Sequence, residues 1–159
     1  MLLKLEGFKY TTSLDLNMGY YHIRLDNFSK SLCTLILPWG KYEMQVLPMG
    51  LSNSPDIFQE KMNKLLHDLE FVRAYIDDLL IVTNETFQDH LDKLDRVLTR
   101  LSRAGLEINA TKSFFCQHEL EYLGYWITRY GIQPLPKNSK RLKKFPLLNQ
   151  KKSYDRSLD

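Results

Sequence analysis

Apolar positions along this chain follow two spacings, the alternation that is typical of β-strands and the three-and-four-residue period of helices. β-Branched and aromatic residues dominate the alternating segments, and Gly, Pro, Asn and Asp separate them. The segments predicted as strands are residues 10–16, 31–38 paired with 42–47 around Trp39-Gly40-Lys41, 71–76, 79–82, and a last hairpin within 119–132.

Two segments have the helical period. The first has Pro55 in its first turn. Its N-cap is one of Ser52, Asn53 and Ser54. Thr86 and Asp89 resemble a capping box at the start of the second helix, and Gly105 ends it. The apolar stripes that predict the buried faces are Phe58, Met62, Leu65 and Leu69, and then Phe87, Leu91, Leu94, Leu98 and Leu101. This pattern predicts an α+β fold, a mainly antiparallel sheet with helices on one face.

Composition changes this picture only toward the C-terminus. The chain has 159 residues, 43% of them hydrophobic, which suits one domain with a core of ordinary size. Eight of its 22 Lys and Arg residues and two of its 19 Asp and Glu residues lie in residues 137–159, which leaves 14 basic and 17 acidic side chains in residues 1–136. We therefore predict a domain in residues 1–136 and a basic, disordered tail in residues 137–159.

The same composition argues against a membrane protein and against a domain held by disulfides or zinc. No apolar run reaches the roughly 20 residues of a membrane span, so no membrane partner is expected. Two cysteines make no disulfide framework, and four scattered histidines without a C-x-x-C pair give no zinc pattern. No targeting signal is visible, which leaves the compartment open between cytoplasm and nucleus.

Two adjacent carboxylates, Asp77 and Asp78, interrupt the most apolar of the predicted hairpins. One interpretation is an ordinary turn in which both side chains face water, although the pair lacks the Gly that a tight primed turn prefers. The other is a metal site, because two fixed negative charges repel each other unless a cation bridges them, and hard oxygen ligands suit Mg²⁺. The pair by itself leaves both interpretations open.

A third carboxylate favours the metal interpretation. Asp15 ends the first predicted strand, 62 positions before Asp77. If the two strands are neighbours, three carboxylates converge at one edge of the sheet, and such a site can hold two Mg²⁺ ions about 3.5–4 Å apart. Two ions of this kind activate an attacking hydroxyl and stabilise a leaving phosphate oxygen.

Five motifs resemble, in order and spacing, the polymerase motifs A to E of gypsy-type LTR retrotransposon reverse transcriptases. They are Leu14–Ile23, Leu47–Gln59, Tyr75–Asp78, Gly105–Lys112 and Tyr122–Tyr125. A lone Tyr-Ile-Asp-Asp is a weak signal, whereas five ordered motifs are specific. The resemblance implies a polymerase palm-like fold and RNA-directed DNA polymerase activity. The implied substrates are a dNTP and a primer on an RNA or DNA template.

The resemblance also implies roles for single residues at the site. Asp15, Asp77 and Asp78 would hold two Mg²⁺ ions, which Mn²⁺ could replace. The backbone carbonyl of Leu16 would complete the shell. Lys112 matches a lysine that acts as a general acid toward departing pyrophosphate, and an ordinary surface lysine is the alternative.

Further matched positions concern the nucleotide and the nucleic acid. Tyr20 stands where reverse transcriptases place an aromatic gate against the ribose 2′-OH, and a core tyrosine is the alternative. Met49 and Gly50 match a loop that packs on the incoming nucleotide. Phe58 matches a residue under the template strand but lies equally on the core stripe. The remaining matches to template or primer contacts are Pro55, Tyr75, Leu123, Gly124 and Tyr125.

The sequence also departs from the family pattern. It begins close to motif A, so we expect a palm with only partial fingers, and the resemblance fades after Pro136, before any thumb or RNase H segment. Two hypotheses follow. The first is a polymerase domain that is active when fingers, thumb and RNase H segments are supplied in trans or by fusion. The second is a catalytically silent remnant that keeps the palm fold and at most binds nucleic acid weakly.

Overall fold

The computed structural model describes residues 7–135. The elements in this part of the chain are β1 (Tyr10–Asn17), a 3₁₀ turn (Gly19–His22), α1 (Asn27–Leu32), β2 (Thr34–Leu37), β3 (Gly40–Glu43), α2 (Ser54–Leu66), β4 (Val72–Tyr75), β5 (Asp78–Thr83), α3 (Phe87–Arg103), β6 (Glu107–Ile108), β7 (Phe114–Gln117), β8 (Glu119–Tyr122), β9 (Tyr125–Thr128) and β10 (Gly131–Pro134). The predicted basic tail lies outside the described residues. Within residues 7–135, no helix has the length and apolar character needed to cross a membrane.

β1 lies inside the main sheet, whose strand order is β4-β5-β1-β6, and β7 also pairs with β1. All of these pairings are antiparallel. β5 runs beside β1 from the pair Tyr10 and Thr83 to the pair Asp15 and Asp78. Because successive side chains of a strand point to opposite faces, this register decides which residues share a face.

Helices α2 and α3 cover one face of the main sheet. Leu14 and Leu16 of β1 and Leu79 and Ile81 of β5 pack with them in one cluster, and none of the four is more than 3% exposed. The helices contribute Phe58, Met62 and Leu66, with Leu69 just beyond the end of α2, and Leu94, Val97 and Leu101. Full burial of one such side chain stabilises the fold by about 1.5–3 kcal/mol, so this helix-side core holds sheet and helices together.

A second, three-stranded sheet packs on the opposite face. Its order is β10-β9-β8, and its residues Leu120 and Ile127 pack with Leu80 of β5 in a separate apolar cluster. Leu80 alternates with Leu79 and Ile81 and therefore points away from the helices. β5 is covered on both faces, which explains why its sequence is a continuous apolar run.

The predicted hairpin at residues 31–47 exists with different bounds. Residues Asn27–Leu32 form α1, whose N-cap Asp26 accepts a hydrogen bond from the Ser29 backbone N–H at 2.9 Å. The first strand therefore starts only at Thr34, and the second ends at Glu43. The prediction missed this helix because none of its residues is buried, so its sequence lacks the apolar period of a core-facing helix.

The buried face of α3 also differs from its predicted stripe. His90 and Val97 are fully buried, whereas Phe87 is 48% exposed. The predicted stripe omits His90 because it includes apolar residues only, and imidazole is polar. The helix start is as predicted in one respect, because the Thr86 hydroxyl accepts a hydrogen bond from the Asp89 N–H at 3.1 Å.

Candidate active site

Asp15 and Asp78 lie directly opposite each other in the β1–β5 pairing. Their neighbours Leu14 and Leu79 belong to the helix-side core, so both carboxylates point to the other face of the sheet. Opposed side chains have Cβ atoms about 4.5–5.5 Å apart, and like charges at such positions are destabilising. The strand that carries Asp15 is therefore a neighbour of the Asp77-Asp78 hairpin, as the metal interpretation requires.

Asp77 lies in a two-residue turn between β4 and β5. The pair that closes the turn is Tyr75 and Asp78, so its central residues are Ile76 and Asp77 rather than the two aspartates. Ile76 has a φ of 53°, which a β-branched residue adopts rarely and at a cost of about 1–3 kcal/mol. The Leu16 N–H donates to the Asp77 carbonyl at 2.8 Å and ties the turn to β1. Tyr75, the predicted primer contact, is 47% exposed.

Gly19 brings the 3₁₀ turn against the side chain of Asp77. A Cβ at position 19 would lie 2.7 Å from the Asp77 Oδ1 atom and 2.5 Å from the Phe58 Cζ atom, so a larger residue requires a shift. The same Oδ1 atom is buried and has no hydrogen-bond partner among residues 7–135. Because a buried polar atom without a partner costs free energy, this atom is suited to contact a cation.

The negative charges at this edge of the sheet oppose the ionisation of Asp77 and Asp78. Burial raises the pKa of Asp77 above its ordinary value, and the charges of Asp15 and Asp78 raise it further. Burial and the charge of Asp15 raise the pKa of Asp78, while Lys112 lowers it. Lost hydration and like-charge repulsion are both relieved by a bound cation.

The donor set fits a hard divalent cation. Carboxylate oxygens are ligands that Mg²⁺ prefers, and this ion keeps several waters in its shell, so the protein need not enclose it. Within the described part of the chain, no three Asp, Glu, His or Cys side chains are arranged so that they could hold a metal ion as they stand, so the fit rests on the chemistry of the donors rather than on a formed cluster. Leu16, the other predicted ligand, is 3% exposed with its side chain in the helix-side core, so its contribution would come from its backbone carbonyl.

Tyr20, the predicted gate, lies in the 3₁₀ turn and is only 8% exposed. Its ring stacks on Phe58 with 5.1 Å between centroids. Burial and then the charge of Asp77 raise the pKa of the Tyr20 hydroxyl. Tyr20 is thus a core residue that also interacts with the carboxylates. Phe58 is 1% exposed, so its place is in the core, the alternative to a template contact.

The loop before α2 carries Met49 and Gly50, and both are exposed. A Cβ at Gly50 would meet open space, so no contact within residues 7–135 explains a glycine there. Pro55 is half-buried at the start of α2. Ser54, which the sequence suggested only as a cap, is fully buried, and its hydroxyl donates to the Pro48 carbonyl at 2.5 Å. This bond closes the loop on itself.

The β8–β9 hairpin, the predicted primer grip, turns at Leu123 and Gly124. Their φ angles are 49° and 78°, the positive values that a type I′ turn requires. Tyr125 is 43% exposed. Tyr122, the first residue of the last motif, had no predicted role of its own, and it donates its hydroxyl hydrogen to the Asp78 carbonyl at 3.2 Å. Burial and the charge of Asp78 raise the pKa of Tyr122. The hairpin is therefore anchored beside the carboxylates.

The loop after β6 holds Asp15 by its backbone. The Asn109 N–H donates to the Asp15 carbonyl at 2.7 Å. The Asp15 N–H donates to the Ser113 hydroxyl at 3.2 Å, which in turn donates to the Asn109 carbonyl at 2.8 Å. Lys112, in the same loop, is exposed and lowers the pKa of Asp78. The structure thus brings Lys112 to the edge of the site, and it adds Asn109 and Ser113, whose small polar side chains gave no distinct signal.

Comparison with known proteins identifies relatives of this chain. A family described as "Reverse transcriptase (RNA-dependent DNA polymerase)" matches residues 2–127. The Pol polyprotein from transposon opus of Drosophila melanogaster is 37% identical over 147 residues, which are 91% of this chain and 15% of the polyprotein. The corresponding polyprotein from transposon gypsy is 31% identical over 148 residues, 92% of this chain and 14% of the polyprotein.

A plant virus protein is similar too. The enzymatic polyprotein of Cestrum yellow leaf curling virus is 37% identical over 149 residues, 92% of this chain and 23% of the polyprotein. This chain therefore spans less than a quarter of the length of these relatives.

Solved structures give the same result for the fold. The foamy viral protease-reverse transcriptase in complex with an RNA/DNA hybrid has a TM-score of 0.80 and 26% identity, over 90% of this chain and 19% of that one. A second form in complex with double-stranded DNA has a TM-score of 0.82 and 26% identity, over 91% of this chain and 25% of that one. These similarities confirm the palm-like α+β fold.

Proposed function

The chain belongs to the reverse transcriptase (RNA-dependent DNA polymerase) family, and we propose that it forms the palm of a retroelement RNA-directed DNA polymerase. One observation carries the proposal. Asp15 and Asp78 are opposed across two strands, and Asp77 lies in the turn beside them with a buried, unpartnered oxygen atom. This concentration of negative charge is unfavourable for folding alone and suited to metal-assisted phosphoryl transfer.

In the proposed site, Asp15, Asp77 and Asp78 hold two Mg²⁺ ions, or Mn²⁺ in their place, with the Leu16 carbonyl as a further ligand. Bound there, the ions supply positive charge that stabilises the attacking and leaving oxygens. The raised pKa values of Asp77 and Asp78 support this role, since both carboxylates gain from a nearby cation.

The proposed reaction is nucleotidyl transfer. The primer 3′-oxygen bonds to the α-phosphorus of a dNTP as its proton passes to a water molecule, the bond from that phosphorus to the bridging oxygen breaks, and pyrophosphate departs. Lys112, at the edge of the site near Asp78, would donate a proton to the pyrophosphate. Met49 and Gly50 are exposed and available to the incoming nucleotide, and Tyr20 limits the space beside Asp77.

A primed RNA or DNA template is the proposed macromolecular partner. The foamy viral relatives are seen in complex with an RNA/DNA hybrid and with double-stranded DNA. In this chain the exposed rings of Tyr75 and Tyr125 lie on the two hairpins that meet at Asp78. The proposed template and primer contacts are Tyr75 and Tyr125 with Pro55, Leu123 and Gly124, whereas Phe58 is buried in the core. Since the relatives are far longer, fingers, thumb and RNase H segments are proposed to complete the enzyme, in cis or in trans.

A primer-extension assay on poly(rA)/oligo(dT) with Mg²⁺ or Mn²⁺ tests this function. It is run on the chain alone and with the remaining polymerase segments of a relative added in trans. Asp77→Asn is the site variant, and Asp95→Asn, an exposed position on α3, is the matched control. We expect metal-dependent extension by the wild type and the control and none by the site variant.

Two results would overturn the catalytic proposal. Near-normal extension by Asp77→Asn removes the metal assignment. No extension by a folded wild-type chain, with or without added segments, supports the silent remnant instead. Under that second hypothesis the chain still binds primed template weakly, which a fluorescence anisotropy titration at low salt measures.

A further inference from the structure

We propose that Gln59 is a positioning residue that fixes the turn at Ile76 and Asp77, and through it the two aspartates that bind metal. The inference rests on the proposed function, because it concerns the same site. Gln59 lies on α2 in the residue after Phe58, is half-buried, and faces the end of β4.

The Gln59 side chain makes hydrogen bonds at both ends of its amide. Its Oε1 atom accepts from the Ile76 N–H at 2.7 Å. Its Nε2 atom donates to the Ala74 carbonyl at 3.1 Å and to the Asn63 Oδ1 atom at 2.8 Å. One amide therefore links the end of β4 to the turn, because its oxygen accepts from the turn while its nitrogen donates to the strand.

The chemistry of these partners selects glutamine. The turn offers a backbone donor at Ile76 and the strand a backbone acceptor at Ala74. The side-chain amide supplies both an acceptor and a donor at its end, whereas a carboxylate only accepts and a lysine only donates. The length of glutamine matters as well, because the contact runs from a helix to a neighbouring sheet.

The hydrogen bond between Gln59 and the Ile76 N–H holds a residue whose backbone conformation is unfavourable. Ile76 holds a φ of 53°, which costs about 1–3 kcal/mol for such a residue and persists only when surrounding contacts enforce it. Relaxation of this turn would move Asp77, the next residue, and Asp78, the first residue of β5. Gln59 thus supports the metal-binding carboxylates without touching the metal, as outer-shell partners of metal sites do.

The test compares Gln59→Met with Gln88→Met. Both replace a helical glutamine by an apolar side chain of similar length, and both remove a side-chain bond to the residue four positions later, at Asn63 and Asp92 respectively. Gln88 lies on α3 and is exposed, so its variant controls for loss of such a bond. The readouts are Mn²⁺ binding by electron paramagnetic resonance and amide hydrogen exchange at Ile76.

We expect Gln59→Met to bind Mn²⁺ about 10-fold more weakly than the wild type and to exchange the Ile76 amide faster, while Gln88→Met changes neither. Adding Ile76→Gly to Gln59→Met should restore most of the affinity, because glycine adopts the positive φ without strain. A purely structural role would lower the unfolding midpoint and leave the Mn²⁺ affinity of the folded protein unchanged.

The outcomes are distinguishable from failure of the proposed function. Wild-type Mn²⁺ affinity in Gln59→Met, or an Ile76 amide that exchanges at the wild-type rate, overturns the role of Gln59. Absence of Mn²⁺ binding in the wild type and in Gln88→Met overturns the metal site itself. In that case the exchange rate at Ile76 still decides whether Gln59 holds the turn.

Discussion

Asp15 and Asp78 oppose each other across β1 and β5, and the leucines next to them, Leu14 and Leu79, are fully buried. The register that buries the leucines also brings the carboxylates together, because a shift by one residue would turn every side chain to the other face. The repulsion is therefore a consequence of the same pairing that forms the core. Lys112 offsets it in part at Asp78, and a bound cation or a proton would relieve it further.

This relationship predicts that Asp78→Asn stabilises the metal-free protein. Removing one of two opposed like charges should raise the free energy of unfolding by about 0.2–1 kcal/mol, although the variant loses primer extension. Urea denaturation in EDTA measures the change. In Mg²⁺ the order should reverse, since the ion raises the unfolding midpoint of the wild type alone. Asp95→Asn is the control, and a variant less stable than the wild type in EDTA contradicts the idea.

The destabilisation caused by the charged forms of Asp77 and Asp78 should depend on pH. The folded-state pKa values of Asp77 and Asp78 are raised above the ordinary value of 3.8, so their ionised forms oppose folding at neutral pH. As the pH falls through the raised values toward 3.8, the folded protein takes up protons before the unfolded chain, and the penalty disappears. The stability difference between the wild type and Asp78→Asn in EDTA should therefore shrink over this window. A difference that is constant down to pH 4 contradicts the raised values.

Gly19→Ala should damage the site by contact rather than by charge. The added Cβ would meet the Phe58 ring and the Asp77 Oδ1 atom at 2.5 and 2.7 Å, and overpacking of this kind costs about 1–3 kcal/mol. Gly50→Ala is the matched control for stability, since nothing lies near its added Cβ. Thermal unfolding and Mn²⁺ titration of both variants measure the effect. Equal unfolding midpoints for Gly19→Ala and the wild type would contradict the prediction, because they would show that the 3₁₀ turn moves to accept the methyl group at no cost in stability.

The convergence of the three aspartates can be predicted from the sequence, because the position of a residue in a strand decides which face and which end of the sheet it occupies. Asp15 lies between Leu14 and Leu16 near the end of β1, and the apolar flanks of Asp77 and Asp78 indicate a hairpin. The convergence of the three carboxylates is therefore predictable once the two strands are placed side by side. The turn itself is not predictable in the same way. The two strands pair so that Ile76 occupies a strained position, which contradicts the residue preferences of tight turns.

The supporting contacts are the part that sequence patterns do not reveal. Gln59, Ser113 and Tyr122 support the site by hydrogen bonds to the backbone at Ile76, Asp15 and Asp78 respectively. Such bonds depend on where a helix, a loop and a second sheet pack on the first, and that packing is tertiary. α1 was missed for a related reason, since its apolar residues are exposed and leave no periodic signal.

His90 predicts a second pH dependence, at mildly acidic pH. The ring is fully buried, its two nitrogens lie 2.8 Å from the hydroxyl oxygens of Thr12 and Thr83, and burial lowers its pKa below 6.5. The folded protein therefore favours the neutral form of the ring. The contribution of His90 to stability is present above pH 6.5 and is lost as the pH falls below that value, because the unfolded chain takes up the proton first. The loss is at most about 1.4 kcal/mol per pH unit.

Urea denaturation between pH 7.5 and 5.5 measures the contribution of His90. His90→Gln should be less stable at pH 7.5 by about 1–3 kcal/mol, since a buried hydrogen-bonded group is replaced, and it should lose the slope below pH 6.5. The exposed histidine His67 gives the control variant His67→Gln, which should keep the wild-type slope. A slope that persists in His90→Gln would assign the dependence to another group.

Tyr20 gives the sharpest test of substrate choice, because its ring is both a core element and a neighbour of the carboxylates. If the ring blocks a ribose 2′-OH, Tyr20→Ala should reduce the preference for dTTP over UTP in kcat/KM on primed poly(rA), by on the order of 10- to 100-fold. Tyr20→Phe keeps the ring that stacks on Phe58 and should keep the preference. Tyr20→Ala also loses about 3–5 kcal/mol of stability, so the assay is run at a temperature where circular dichroism shows it folded. An unchanged preference in folded Tyr20→Ala would restrict Tyr20 to the core.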